Sequence, residues 1–248
     1  MKLALIADVH ANLVPLEAVA RDIRRQSVKG VICLGDVLDV GSQPREVLGI
    51  VTELRCSFAM GNHDQAIVEP WRISELHIPE HLAPAVRWTA ARLTPDQMAL
   101  IRSFEQTVTF ELVGGATLCG FHGSPKRLCE LILPTTEEEA LTDVFAGISA
   151  EILAGGHTHQ QMYRRWGART MVNPGSVGCA WVWDGKSGEP TLMPWAEYAV
   201  INISASKAEV ELMRIPYDTE RAKKLAEASD NPLKKWWQDQ YGSISRRK

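Results

Sequence analysis

Three apolar runs, Leu3 to Ala7, Val31 to Leu34 and Cys56 to Met60, each stop at polar residues that an ordinary turn has little use for. These are Asp8, then Asp36 behind Gly35, then Asn62 and His63 behind Gly61. Such short runs suit strands covered on both faces. After the first, Leu13, Leu16, Val19 and Ile23 recur at three- and four-residue intervals, as on the inner face of a helix. A second helix is predicted from about Pro44 to Leu54, with Ser42 as its cap. Strands alternating with helices at this spacing imply an α/β sheet, where ligands gather outside the carboxyl ends of the strands. The polar breaks fall at those ends.

The same break recurs twice. Thr107 to Leu112 and Ala116 to Phe121 read as a hairpin through Gly114-Gly115, followed at once by His122. Ile152-Leu153-Ala154 leads into Gly155-Gly156-His157-Thr158-His159. Between them, Thr136 followed by three glutamates predicts a capped helix start. Over residues 65–104 the alternation lapses into a helical, cap-like insertion, in which Thr94-Pro95-Asp96-Gln97 has the form of a capping box. His77 and His81 within it are expected to be exposed or locally bonded. Thr170 to Val172, Tyr198 to Ile203 and Val210 to Ile215 are strand-like and are expected to supply a second sheet. Glycine and proline make Trp181 to Trp195 a surface excursion, and Asp218 caps a last helix through Ala228. With no repeat or linker, residues 1–248 read as a single domain, ending in a basic tail, Arg246-Arg247-Lys248, expected to be solvated.

A formal charge of -3 leaves no basic footprint for sequence-independent binding to nucleic acid or an anionic membrane. No stretch approaches the roughly 20 apolar residues that span a bilayer. Met1 to Ala7 is far shorter than a signal-peptide core, so the cytoplasm is the expected location. Five cysteines without C-x-x-C spacing suit reduced thiols, with Cys33, Cys56 and Cys119 buried, rather than a disulfide framework.

Taken singly, each break has a bland reading: His10 bonded to a carbonyl, Asp36 in a turn, His157 and His159 in a polar loop. Taken together, five strand ends deliver Asp8, His10, Asp36, Asn62, His122, His157 and His159, with five of the seven histidines in the breaks. Imidazole and carboxylate donors without cysteine suit Mn, Fe, Zn, Ni or Co rather than a closed structural zinc site. Seven side chains are too many for one such ion. They suit two ions about 3.5 to 4 Å apart, the geometry that clamps the attacking and departing oxygens of a phosphate ester. The two aspartates offset only half of the charge of two divalent ions, an excess that favours phosphate over carbonyl substrates.

Asp8-Val9-His10, Gly35-Asp36, Gly61-Asn62-His63-Asp64, His122-Gly123 and Gly156-His157-Thr158-His159 resemble, in order and spacing, the five motifs of the calcineurin-like metallophosphoesterases. Asp8 to Leu13, Asn173-Pro174-Gly175-Ser176-Val177-Gly178 and Tyr217-Asp218 look most like its small prokaryotic phosphodiesterase-type members. The resemblance implies two mixed β-sheets sandwiched between helices. It also implies a hydrolase of phosphate esters, a phosphodiesterase first, working by in-line attack of a metal-bridging hydroxide. Phosphomonoester or dinucleoside-polyphosphate hydrolysis is the alternative, and a metal-free interaction scaffold the non-enzymatic one. Mn is the first expectation for the two divalent ions, ahead of Fe, Zn, Ni or Co.

Position by position, the resemblance gives Asp8, His10 and His159 to one metal, Asn62, His122 and His157 to the other, and Asp36 to both. His63 faces the leaving oxygen, and Asp39 stands where relatives orient that histidine or, on the bland reading, is a turn residue. Val40 in place of arginine, and Asp64 in place of glutamate, disfavour a protein phosphatase. Gly61 is expected to supply a tight turn, and Asp64 carries no assigned chemistry. Lys126 and Arg127 are candidate contacts to further phosphate oxygens, with solvated charges the commoner outcome. The expected partner is a small phosphate-ester or nucleotide-type substrate. Trp181 and Trp183 leave nucleobase stacking, ordinary packing and a homodimer contact open.

Overall fold

Alternate residues of the first strand enter different cores. Leu3 and Leu5 join Ile32, Val108, Leu118, Ile152 and Ile201 in a layer between two sheets, whereas Ala4 and Ile6 join Leu16, Val19 and Val47 on the helix side. The computed structural model describes residues 1–183, 190–204 and 208–245. The tail Arg246-Arg247-Lys248, residues 184–189 of the surface excursion and the Trp183 side chain lie outside that description.

The chain runs β1 (Lys2–Ile6), α1 (Leu13–Arg25), β2 (Gly30–Cys33), α2 (Pro44–Glu53), β3 (Ser57–Phe58) and α3 (Asn62–Val68). Two 3-10 turns, Pro70–Arg72 and Glu80–Leu82, then lead to α4 (Ala83–Ala90) and α5 (Pro95–Arg102). There follow β4 (Val108–Glu111), β5 (Thr117–Gly120), α6 (Glu138–Val144), β6 (Ile152–Ala154), β7 (Met162–Trp166) and β8 (Arg169–Asn173). The described chain ends with β9 (Trp181–Trp183), β10 (Pro190–Leu192), β11 (Trp195–Ile203), β12 (Ala208–Pro216), α7 (Thr219–Ala228) and α8 (Lys234–Ser245).

One sheet has the order β12-β11-β1-β2-β3 and the other β4-β5-β6-β8-β7. In the first, β1, β2 and β3 are parallel and β11 is antiparallel to β1; in the second, β5, β6 and β8 are parallel between antiparallel edges. The outer face of the second sheet packs Cys119, Phe121, Leu153 and Met171 against Leu141 and Phe145 of the α6 region. Two mixed sheets between helical layers result, the architecture that the motifs implied.

The strands at Tyr198 to Ile203 and Val210 to Ile215 do not found a second sheet as expected. They extend the first from the open edge of β1, with Leu3 opposite Ile201. The reason is burial on both faces: Ala199 and Ile201 enter the layer between the sheets, while Tyr198 and Val200 enter the helix-side core. The second sheet instead gains β7, whose Arg164 and Arg165 hide it from a search for apolar runs. Charged side chains are well tolerated on such an edge strand. Within the surface excursion, β9 and β10 form a two-stranded ladder and Leu192 is buried beside Trp237.

The insertion is helical. Ala66, Ile67, Val86 and Ile101 bury into the helix-side core, the Phe58 and Phe104 rings stack with centroids 4.4 Å apart, and His77 and His81 are exposed. The capping box at α5 is formed: Thr94 Oγ1 accepts the Gln97 N–H at 3.2 Å, and Gln97 Oε1 accepts the Thr94 N–H at 3.0 Å. Thr94→Ala is expected to cost about 1 kcal/mol, read as a lower denaturation midpoint with an unchanged slope. Asp218 likewise caps α7 through the Arg221 N–H at 2.9 Å. Two other expected caps do not form. Gln43 holds the cap position of α2 because its N–H is drawn to the Ala11 carbonyl, leaving Ser42 upstream. Thr136 Oγ1 accepts from the Leu133 N–H, so Glu137 stands at the start of α6. All five cysteines are free, Cys56 and Cys129 being only half-buried. Among the described residues, no helix is long and apolar enough to cross a membrane.

Candidate metal centre

The loops after β1, β2 and β6 carry their polar residues on strained backbone. Asp8, His10, Asp36, Asp39, His157 and His159 have φ of 53, 48, 51, 74, 68 and 55°, a region that non-glycine residues occupy only where the surroundings over-determine it. Here those surroundings are other site loops. The Asp8 N–H donates to Gly35 O at 3.0 Å and the His10 N–H to Asp36 O at 2.9 Å, while the Gly178 N–H and Ser176 Oγ both donate to Asp8 O.

Two adjacent groups of donors result: Asp8, His10 and His159 in one, Asp36, His122 and His157 in the other, the ligand atoms of each lying within 4.8 Å of one another. His10 Nε2 is 3.2 Å from His159 Nε2, which is 3.4 Å from Asp8 Oδ1. Asp36 Oδ2 is 3.3 Å from His122 Nε2 and 3.7 Å from His10 Nε2, so one carboxylate oxygen faces both groups. Asn62 Oδ1 joins the second group, 3.0 Å from His122 Nε2.

Neighbouring carbonyls orient these donors. His122 Nδ1–H donates to Leu34 O at 2.7 Å and His159 Nδ1–H to Cys179 O at 3.0 Å, which turns each Nε2 toward the cluster. The Asn62 amide donates to Leu76 O at 3.1 Å, so its oxygen faces the same way.

The charge balance asks for a cation. Asp8 is fully buried, yet its Oδ1 has no hydrogen-bond partner. Burial raises the Asp8 carboxyl and drives His10 well down; burial, and then repulsion from His122, takes His157 down to about 3. Burial also opposes a charge on His122, but Asp36 and Asp8 outweigh it and raise that imidazole to about 9. The unpartnered, buried Asp8 Oδ1, near a His10 ring that burial disfavours charging, is costly until a cation arrives. This thiolate-free set of carboxylate, imidazole and amide donors fits divalent first-row ions.

His63 opens α3 next to Asn62. Its Nδ1 lies 2.8 Å from Asp39 Oδ2, its ring meets His10 edge-on at 5.0 Å, and its backbone N–H donates to Asp36 Oδ1 at 2.9 Å. Burial opposes a charge on His63, yet Asp36 and Asp39 raise its pKa to about 9. Asp39, either an orienter or a turn residue from sequence, is bonded to the histidine.

Residues 1–192 match the family profile of the calcineurin-like phosphoesterase superfamily domain. The chain belongs to the calcineurin-like phosphoesterase superfamily. It is 25% identical over 237 residues, 89% of each chain, to an uncharacterized protein of Methanocaldococcus jannaschii. It superposes on a metallophosphoesterase from Sphaerobacter thermophilus with a TM-score of 0.69 and 26% identity, covering 92% of this chain and 93% of that one. A hypothetical protein from Pyrococcus horikoshii gives 0.77 at 20% identity over 94% and 96% of the two chains, a likeness of fold.

The candidate site also enlists residues to which the sequence assigned no task. Asp64, fully buried, accepts the N–H groups of Val37 at 3.0 Å and Leu38 at 3.1 Å, pinning the loop that carries Asp36 and Asp39. Asn173 donates to Gly156 O at 2.7 Å and to Thr158 Oγ1 at 3.0 Å, bracing the loop of His157 and His159. The available signal was the charge of Asp64 directly beside two site residues.

Gly61 does not make the tight turn expected of it. Its φ is −95°, and its lack of a side chain matters because a Cβ there would lie 2.1 Å from Asp36 Oδ1. The positive φ, 91°, belongs to Gly35. Lys126 Nζ donates to the Asp143 carbonyl, and the exposed Arg127 lines a groove of about 460 Å³ with Arg72, His77 and Cys129.

Proposed function

We propose that this phosphoesterase hydrolyses phosphate esters, phosphodiesters first, at a dinuclear centre of divalent transition-metal ions, Mn before Fe, Zn, Ni or Co. The observation that carries the reading is Asp36 Oδ2, a single carboxylate oxygen facing both His10 and His122. Asp8, His10, His159 and Asp36 would hold one cation, and Asp36, Asn62, His122 and His157 the other. When bound, the pair supplies Lewis acidity and a nucleophilic water at neutral pH.

The protein's own groups do the rest. Asp8 and Asp36 leave the centre with a net positive charge that favours an anionic phosphate. Asp39 holds the His63 Nδ1 proton at 2.8 Å, so the proton at Nε2 is the one available to the departing oxygen. The carbonyl of Leu76 in the insertion accepts from the Asn62 amide, a contact that supports reading the insertion as a cap that shapes access for a small phosphate-ester or nucleotide-type substrate.

Hydrolysis of bis-p-nitrophenyl phosphate tests this directly. Turnover should appear on addition of Mn and vanish on chelation; equal rates with and without metal, or failure of the purified protein to take up transition metal, would overturn it and favour a scaffold. A panel of p-nitrophenyl phosphate, cyclic nucleotides and diadenosine tetraphosphate separates diester, monoester and polyphosphate substrates. His63→Ala should lower turnover of an alkyl ester by about 10²-fold or more and of p-nitrophenyl esters much less, since nitrophenolate leaves without a proton. Equal losses would assign His63 to positioning or metal binding.

A further inference from the structure

We infer that Asn231 and Trp237, on the C-terminal helical pair, are positioning residues for the Asp39–His63 pair; the inference rests on the proposed role of His63. Both lie beyond residues 1–192, the part of the chain that matches the family profile.

The geometry starts from Asp39. It is fully buried, its Oδ2 meets His63 Nδ1, and its Oδ1 has no partner. With no second hydrogen bond to its carboxylate, the direction of that group is set by the backbone beneath it. That backbone is strained at two successive residues, Asp39 with φ of 74° and Val40 with φ of 63°. A β-branched residue at positive φ is a genuine outlier and reverts to ordinary backbone unless something holds it.

What holds it comes from the far end of the chain. The Val40 carbonyl accepts two hydrogen bonds, from Trp237 Nε1 at 2.9 Å and from Asn231 Nδ2 at 3.2 Å. Asn231 Nδ2 also donates to Gly41 O at 2.8 Å. The amide cannot turn over, because Asn231 Oδ1 is engaged by the Leu233 N–H at 2.7 Å. Both residues are buried, Asn231 at 3% and Trp237 at 1% exposure, so water does not compete for these bonds. The Val40 side chain is gripped as well, in a cluster with Leu233, Trp237, Tyr241 and Ile244. Farther along the loop, Gly41 N–H donates to His10 O at 2.9 Å, which ties the clamped turn to the first donor group.

A clamp that merely fastens the C-terminal helices would protect stability alone; a clamp that aims Asp39 also controls proton delivery to the leaving group. Asn231→Ala and Trp237→Phe in the full chain distinguish the two. The first readout, independent of turnover, is the low-field proton resonance of His63 Nδ1–H, assigned by its loss in Asp39→Asn. It should shift or broaden in Asn231→Ala, and less in Trp237→Phe, which keeps an aromatic ring and leaves the Asn231 bonds in place. The second is the metal-loaded enzyme on two substrates. Turnover of 2′,3′-cyclic AMP, whose leaving group is an alkoxide, should fall about tenfold with KM unchanged, while bis-p-nitrophenyl phosphate stays within about twofold.

Equal losses on both substrates with an unmoved resonance would overturn the inference and leave a structural tie. If Asn231→Ala melts too early to assay, Trp237→Phe carries the same comparison. If the parent protein turns over neither substrate, the proposed function fails on its own, and the resonance alone then decides the clamp: moved in its favour, unmoved against it.

Discussion

Asp36→Asn is expected to lower metal-dependent kcat/KM by at least about 10³-fold and to reduce bound transition metal from about two ions per chain to one or fewer. The substitution is nearly isosteric, so its effect isolates charge and donor type. Asn can still present an oxygen to the His63 N–H, the bond that Oδ1 makes at 2.9 Å. It then turns an amide nitrogen toward His122 and His10, where Asp36 Oδ2 lies 3.3 and 3.7 Å from their Nε2 atoms. An amide nitrogen has no lone pair for a metal and carries no charge. One negative charge is lost from a site whose two carboxylates already fall short of two divalent cations. Metal analysis and steady-state kinetics on the same sample check both halves. Wild-type metal content with wild-type turnover would remove Asp36 from the centre and with it the observation on which the proposed function stands.

The seven side chains that the structure gathers into one cluster were legible in the sequence for a physical reason. Each lies where an apolar strand ends, so a polar residue there interrupts a pattern that burial otherwise enforces, and Asp8, Asp36 and His122 all stand out against such runs. Runs buried on both faces made an α/β sheet legible in the same way, whereas the two-sheet layering came only from the resemblance of the motifs. Neighbour relations were not. Periodicity states which face of a strand is apolar but not which strand lies beside it, so β11 was expected in a second sheet and lies in the first. The caps at Ser42 and Thr136 failed because local capping logic ignores competing partners, here the Ala11 carbonyl and the Leu133 N–H. Asn231 and Trp237 reach Val40 across 191 and 197 positions, and a hydrogen bond over that separation leaves no local trace in composition or spacing.

Gly61→Ala carries the second large expectation: loss of activity of about 10²-fold or more, with reduced metal content, from the addition of one methyl group. The added Cβ would lie 2.1 Å from Asp36 Oδ1 and 2.2 Å from the Asp36 backbone nitrogen, distances that no real carbon sustains. Asp36 cannot simply swing aside. Its Oδ1 is bonded to the His63 N–H, its carbonyl accepts the His10 N–H, and the loop after it is pinned by Asp64. Relief must come from moving the start of α3, which carries Asn62 and His63, away from the loop that carries Asp36. A displacement of about 1 Å there misplaces donors of the second group relative to the carboxylate facing both, enough to cost about 10²-fold. Overpacking should also lower stability by about 1 to 3 kcal/mol. Gly49→Ala is the matched control, because a Cβ at that exposed position in α2 meets nothing within 4 Å. There the same substitution should stabilise by about 0.5 to 1 kcal/mol through helix propensity and leave turnover unchanged. Thermal melts, metal content and kcat/KM on the two variants side by side decide the matter. A Gly61→Ala enzyme as active as Gly49→Ala would show that the contact between Gly61 and Asp36 does not set the geometry of the centre.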